Sequence, residues 1–151
     1  MLSTTDTHLI NDLICVCQDG QQFYRHAAKE VGDNDLKSLF REMAAIRADI
    51  ADDLTKKAQA IGMDTEEGTS VAGTMRTLYT DIRSQLSDHP NLEYVSKLEA
   101  SEDKALRTFR EDIRKVSSPL LASEIARHLA TIQITHDRMK QIKEDLKAVK
   151  H

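Results

Sequence analysis

The chain has 151 residues with 5 Gly, 2 Pro, no Trp and 30% charged side chains, and its 40% apolar content suffices for one continuous core. A sheet protein of this size turns every 8 to 12 residues or so and would use far more Gly and Pro, so a few long helices are expected. The net charge of −4 and pI near 5.8, with both signs mixed along the chain, argue against a nucleic-acid footprint.

The N-terminal MLSTTDTHLI lacks a basic region followed by an apolar run, and no stretch approaches the ~18 apolar residues of a membrane span. A cytoplasmic protein without a membrane partner is expected. Five of the Gly and Pro residues (Gly32, Gly62, Gly68, Pro90 and Pro119) fall where the hydrophobic pattern breaks, which defines five helices in one domain over 1–151. The first is predicted over 5–31, with Ser3, Thr4 or Thr5 at its N-cap, Asp6 in its first turn and Gly32 at its end. Cys15 and Cys17 lie on nearly opposite sides of it, so they cannot pair, and each reads as a buried structural thiol. Asp33 and Asn34 cap a second helix over 34–61, stopped by Gly62. After a polar loop, Ser70 caps a shorter third over 70–86, and Pro90 opens a fourth over 90–116. Ser117-Ser118-Pro119 starts a fifth over 119–148, where Lys140, Lys143, Lys147 and Lys150 complement the negative pole of the helix.

Apolar residues step by alternating threes and fours, the spacing of helices packed nearly parallel. The first seam reads Leu9, Leu13, Val16, Gly20, Phe23, Ala27, Val31, with Ile10, Ile14, Cys17 and Tyr24 on its flank. The second reads Leu36, Leu39, Met43, Ile46, Ile50, Leu54, Ile61, and the third Val71, Met75, Leu78, Ile82, Leu86. The fifth reads Leu121, Ile125, His128, Ile132, Met139, Ile142, Leu146, Val149. The first, second, fourth and fifth helices match in length at about 40 Å, from 1.5 Å per residue. Two antiparallel hairpins joined by a long crossover, with the shorter helix inside it, are the predicted topology. Gly73 sits in the first turn of the crossover helix, where Gly costs least. Gly20 lies mid-helix on the core seam, where Gly loses about 1 kcal/mol against Ala, so close approach of another helix is expected there.

On the helix over 90–116, positions 92, 95, 99, 102, 106, 109, 113 and 116 form the seam, and they include Glu99 and Glu102. Buried carboxylates are normally neutralised, paired or coordinated. In a hairpin folded near Ser117 and Ser118, Glu99 is expected to face His136, and Glu102 to face Gln133. The simpler alternative turns one glutamate outward and bonds a partly buried His136 to the other. His128 reads as a boundary core histidine with no acid opposite, its nearest partner being Arg107.

The stretches LINDLICVCQDGQQFYRHAAKEV, LKSLFREMAAIRADIADDL, LEYVSKLEASEDKALRTFREDI and ITHDRM resemble an uncharacterised bacterial family of ferritin-like four-helix bundles, distantly similar to the ferritin and rubrerythrin superfamily. The resemblance implies a core site in which two helices each give a carboxylate and two each give Glu-x-x-His. It places Glu99 or Glu102 as one carboxylate and His136 as one histidine. The rest departs from the pattern: Gln133 replaces the bridging acid, Met43 to Ile50 contain no Glu-x-x-His, and Cys17, Gly20 and Gln21 stand where an inward acid is needed. A half-site of Glu99, Glu102, Gln133 and His136 remains, with the donors for one weakly held ion at most.

No Gly-rich phosphate loop, nucleophile elbow or His-Glu-x-x-His is present. The expected function is that of a non-enzymatic ferritin-like bundle with a degenerate di-metal site, assigned no catalytic residue, metal ligand or cofactor, and stress-associated or partner-binding by resemblance. The alternatives are a metal-binding protein using Glu99, Glu102 and His136, or a helical adaptor that dimerises through an apolar surface marked by Phe40 and Tyr79.

Overall fold

The residues that break the hydrophobic pattern also turn the chain. The computed structural model describes residues 4–62 and 89–150, and among these the secondary structure is four α-helices and no strand. Helix α1 runs Thr4–Glu30 and α2 runs Asn34–Ala60. Between them Asp33 adopts an extended conformation and its Oδ1 accepts the Leu36 amide at 2.9 Å, the N-cap read from the sequence. Gly62, at φ +87°, closes α2 in the left-handed region that favours glycine and donates its amide to Gln59 O at 3.0 Å. Helix α3 runs Pro90–Ile113 with Pro in its first turn, and α4 runs Pro119–Lys150, where Ser118 Oγ accepts the Leu121 amide at 3.3 Å. The helix expected over 70–86, with Gly68, Gly73 and Tyr79, lies outside the described residues.

Helices α1 and α2 form one hairpin and α3 and α4 the other; α1 also packs on α3, and α2 on α4. This leaves α1/α4 and α2/α3 as the diagonals of a four-helix bundle. The start of α1 meets the end of α3, because Asp6 binds the Ser117 and Ser118 amides, so α1 and α3 run antiparallel. The end of α2 meets the start of α4 through Asp53 and Arg127, so these two are antiparallel as well. Gly62 and His89 consequently sit at opposite ends, as two hairpins joined by a crossover require.

The core falls into two apolar halves. One gathers Phe23, Ala27, Leu39, Phe40, Val95, Leu98 and Met139; the other gathers Ile10, Ile14, Leu54, Phe109, Leu121, Ile125 and Ile132. Burial of such a side chain stabilises by about 1.5 to 3 kcal/mol. Phe40, an expected surface marker, is fully buried against Tyr24, with ring centroids 6.1 Å apart. Val149, expected on the core seam, is 83% exposed, because α4 outruns the bundle there. Among the described residues no helix is long and apolar enough to cross a membrane.

Candidate functional site

Between the two apolar halves lies a polar layer with a contribution from every helix: Cys17, Gly20 and Tyr24 on α1, Arg47 on α2, Glu102 on α3 and Thr135 on α4. Arg47 and Glu102 are 1% and 0% exposed, and Arg47 Nη2 stands 3.0 Å from Glu102 Oε1 across the bundle diagonal. Tyr24 donates its hydroxyl to Glu102 Oε1 at 2.5 Å, and Thr135 Oγ1 donates to Oε2 at 2.9 Å. Both carboxylate oxygens are therefore engaged, as a buried charge requires. The Arg47 contact is electrostatic, since its Nε, Nη1 and Nη2 make no aligned hydrogen bond among the described residues.

These charges reshape their neighbours. Burial, then the Glu102 charge, raises the Tyr24 hydroxyl well above its usual range and keeps it a donor. Burial works against the Arg47 charge, but Glu102, Cys17 and Tyr24 together outweigh it and raise the guanidinium. Burial pushes the Cys17 thiol up to about 11 despite the opposing pull of Arg47. Cys15 is only partly buried, unlike the structural thiol expected there, and the two cysteines are not joined in a disulfide.

Gly20 is explained by the same layer. A Cβ there would lie 2.9 Å from Arg47 Nη1 and 3.2 Å from Cζ, so the approach that excludes a side chain comes from the arginine rather than from a neighbouring backbone.

The expected half-site assembles only in part: Glu99 and His136 come together, with donor atoms within 4.8 Å, but Glu102 and Gln133 do not join them. Glu102 meets Thr135, not Gln133, because the buried seam of α3 steps through Val95, Leu98, Glu102, Ala105, Phe109 and Asp112, and that of α4 through Ile132, Thr135 and Met139. Gln133 lies at the rim, accepting from Arg110 at 2.5 Å and donating to Asp137 at 2.9 Å. Glu99 is displaced to the edge of the bundle, where Lys143 Nζ stands 3.4 Å from it. His136 Nε2 pairs with Asp103 at 2.5 Å and Nδ1 with Asp137 at 3.0 Å, so neither glutamate is its hydrogen-bond partner. Burial works against its charge, but Asp137 and Asp103 prevail and raise it above the usual histidine range.

A family model for DUF2383, a domain of unknown function, matches residues 6–115. The chain belongs to the DUF2383 family. No curated protein matches it significantly. The DUF2383 match takes in Tyr24, Arg47 and Glu102, three of the side chains of the polar layer, and ends before Thr135.

Two further features of this DUF2383 protein were missed in the sequence. His128 has an acid opposite after all: Asp53 Oδ2 from α2 lies 2.6 Å from its Nε2, so the α3 partner near Arg107 was the wrong neighbour. Arg127 joins Asp53 at 2.8 Å and Glu124 at 2.7 Å. Burial opposes ionisation of Asp53, but the His128 hydrogen bond together with the charges of His128, Arg127 and Lys57 outweighs it and lowers the acid. Asp112 takes the seam position expected of Ile113 and is buried, its Oδ2 making no hydrogen bond among the described residues. Burial, then Asp12 across the α1–α3 contact, pushes it up to about 6. Charged residues at seam spacing were the available signal in both places.

Proposed function

We propose that this DUF2383 protein is a non-enzymatic, ferritin-like bundle that works by association rather than by chemistry at its centre. The inward i, i+3 pairs are Ala44/Arg47 on α2 and Ile132/Thr135 on α4, all buried. The resemblance would require Glu-x-x-His at those levels. One glutamate, Glu102, remains, and it is already neutralised by Arg47 and bonded by Tyr24 and Thr135. The donor set does not fit two irons, and a guanidinium within contact distance would repel a cation. The buried Arg47–Glu102 pair carries this reading.

The test is aerobic oxidation of Fe(II) by the purified chain. The expected rate equals that of buffer, in the wild type and in Glu99→Ala and His136→Ala alike. Iron-dependent oxidation that either substitution abolishes would refute the reading.

A homodimer is the second element of the proposal, supported by α4. Leu120, Ile134 and Val149 are 57%, 68% and 83% exposed, and spacings of about four helical turns keep them on one side. Light scattering is expected to give twice the chain mass and Ile134→Glu to halve it. A wild type with the mass of one chain removes the dimer. Cytoplasmic residence, a stress-associated role and the absence of nucleic-acid binding belong to the same proposal and rest on the resemblance and the charge balance.

A further inference from the structure

On the rim of the α3–α4 hairpin a histidine is held among carboxylates, and the geometry points to a binding site for one divalent ion of the zinc type, made of Glu99, Asp103 and His136. Glu99 and Asp103 are one turn apart on α3, and His136 faces them from α4. One oxygen from each carboxylate and one ring nitrogen lie within 4.8 Å of one another. Donor atoms bonded to a common ion at about 2.0 to 2.2 Å lie no more than roughly 4.4 Å apart, so small rotamer shifts close the site. One imidazole and two carboxylates suit a borderline first-row dication.

Asp137 supplies what an isolated His–carboxylate contact lacks. Its Oδ1 is 3.0 Å from His136 Nδ1 and also accepts from Gln133 at 2.9 Å. This outer carboxylate holds the ring so that Nε2 is directed at Asp103, the arrangement that supports histidine ligands of metals. The competing cation is weakly placed, Lys143 Nζ lying 3.4 Å from Glu99 on a flexible side chain. By contrast, the cluster of Asp53, Glu124 and His128 has Arg127 seated between its carboxylates at 2.8 and 2.7 Å. Asp103 is 52% exposed, so the fourth coordination position opens to solvent. The site lies outside the polar layer, and a closed centre stands whether or not the rim holds an ion.

The untagged full chain, stripped with chelator and dialysed, is titrated with Zn2+ by calorimetry and with Co2+ by visible absorption. One Zn2+ per chain and visible Co2+ bands are expected. His136→Ala and Asp103→Asn should each weaken binding at least tenfold, and Asp137→Asn by tenfold or more although it removes no ligand. His128→Ala should bind as the wild type does. Asp103→Asn alters a half-exposed side chain, and circular dichroism of each variant separates lost binding from lost structure. Absence of saturable Zn2+ binding at ~100 µM would overturn the site, as would binding that His136→Ala and Asp103→Asn both leave unchanged.

Discussion

Asp112 shows how one side chain can set a pH response. Its carboxyl is raised to about 6 by burial and by Asp12, so the folded chain holds the proton more tightly than the unfolded chain, whose value is near 4. Stability contributed by this group is therefore complete below pH about 4 and is lost as pH rises through 6. Asp112→Asn is expected to stabilise the protein by about 1 kcal/mol at pH 7.5, with the advantage shrinking below pH 5, measured by urea unfolding at both values. Cys17 makes a second prediction at this scale. Fully buried and with its thiol raised to about 11, it should resist a thiol reagent at neutral pH until the chain unfolds, whereas the partly exposed Cys15 reacts in the native protein. Mass spectrometry of the labelled chain checks this.

At the scale of elements, a single carboxylate ties the first helix to the second hairpin. Asp6 accepts from Ser117 N at 2.8 Å, Ser117 Oγ at 3.1 Å and Ser118 N at 3.1 Å, joining α1 to the turn where α3 gives way to α4. Asp6→Ala should cost about 2 kcal/mol, since two backbone amides lose a charged acceptor, and Asp6→Asn should recover part of it. The sequence placed Asp6 only in a first turn, because a partner more than a hundred residues away leaves no local trace. The caps were different: Asp33, Gly62 and Ser118 act within a few residues of themselves, and each was legible.

The whole molecule is organised around the polar layer between its apolar halves. Arg47→Met leaves Glu102 buried without its counter-ion and should cost about 3 to 5 kcal/mol, while Arg47→Met with Glu102→Met should recover much of that. Thermal melts of the single and double variants measure the difference. Gly20 enters the same cycle. Gly20→Ala should destabilise despite its better helix propensity, because the added Cβ meets Arg47, and the sign should reverse in the Arg47→Met background.

The sequence by itself determined four long helices, the caps at Asp33, Gly62 and Ser118, and the pairing into two hairpins, because periodicity and punctuation are local signals repeated over many turns. It also marked Glu102 and Gly20 as anomalous in a core seam. Tertiary structure alone decided what resolves those anomalies. Arg47, read as part of a stretch lacking ligands, turns inward and pairs with Glu102, while Glu99 and His136 are left at the rim. A rotation of one residue position about a helix axis, ~100°, separates core from rim, and seam spacing cannot fix it when charged and apolar side chains stand side by side. Packing fixes it, because a buried charge can persist only where its partners, drawn from other helices, converge.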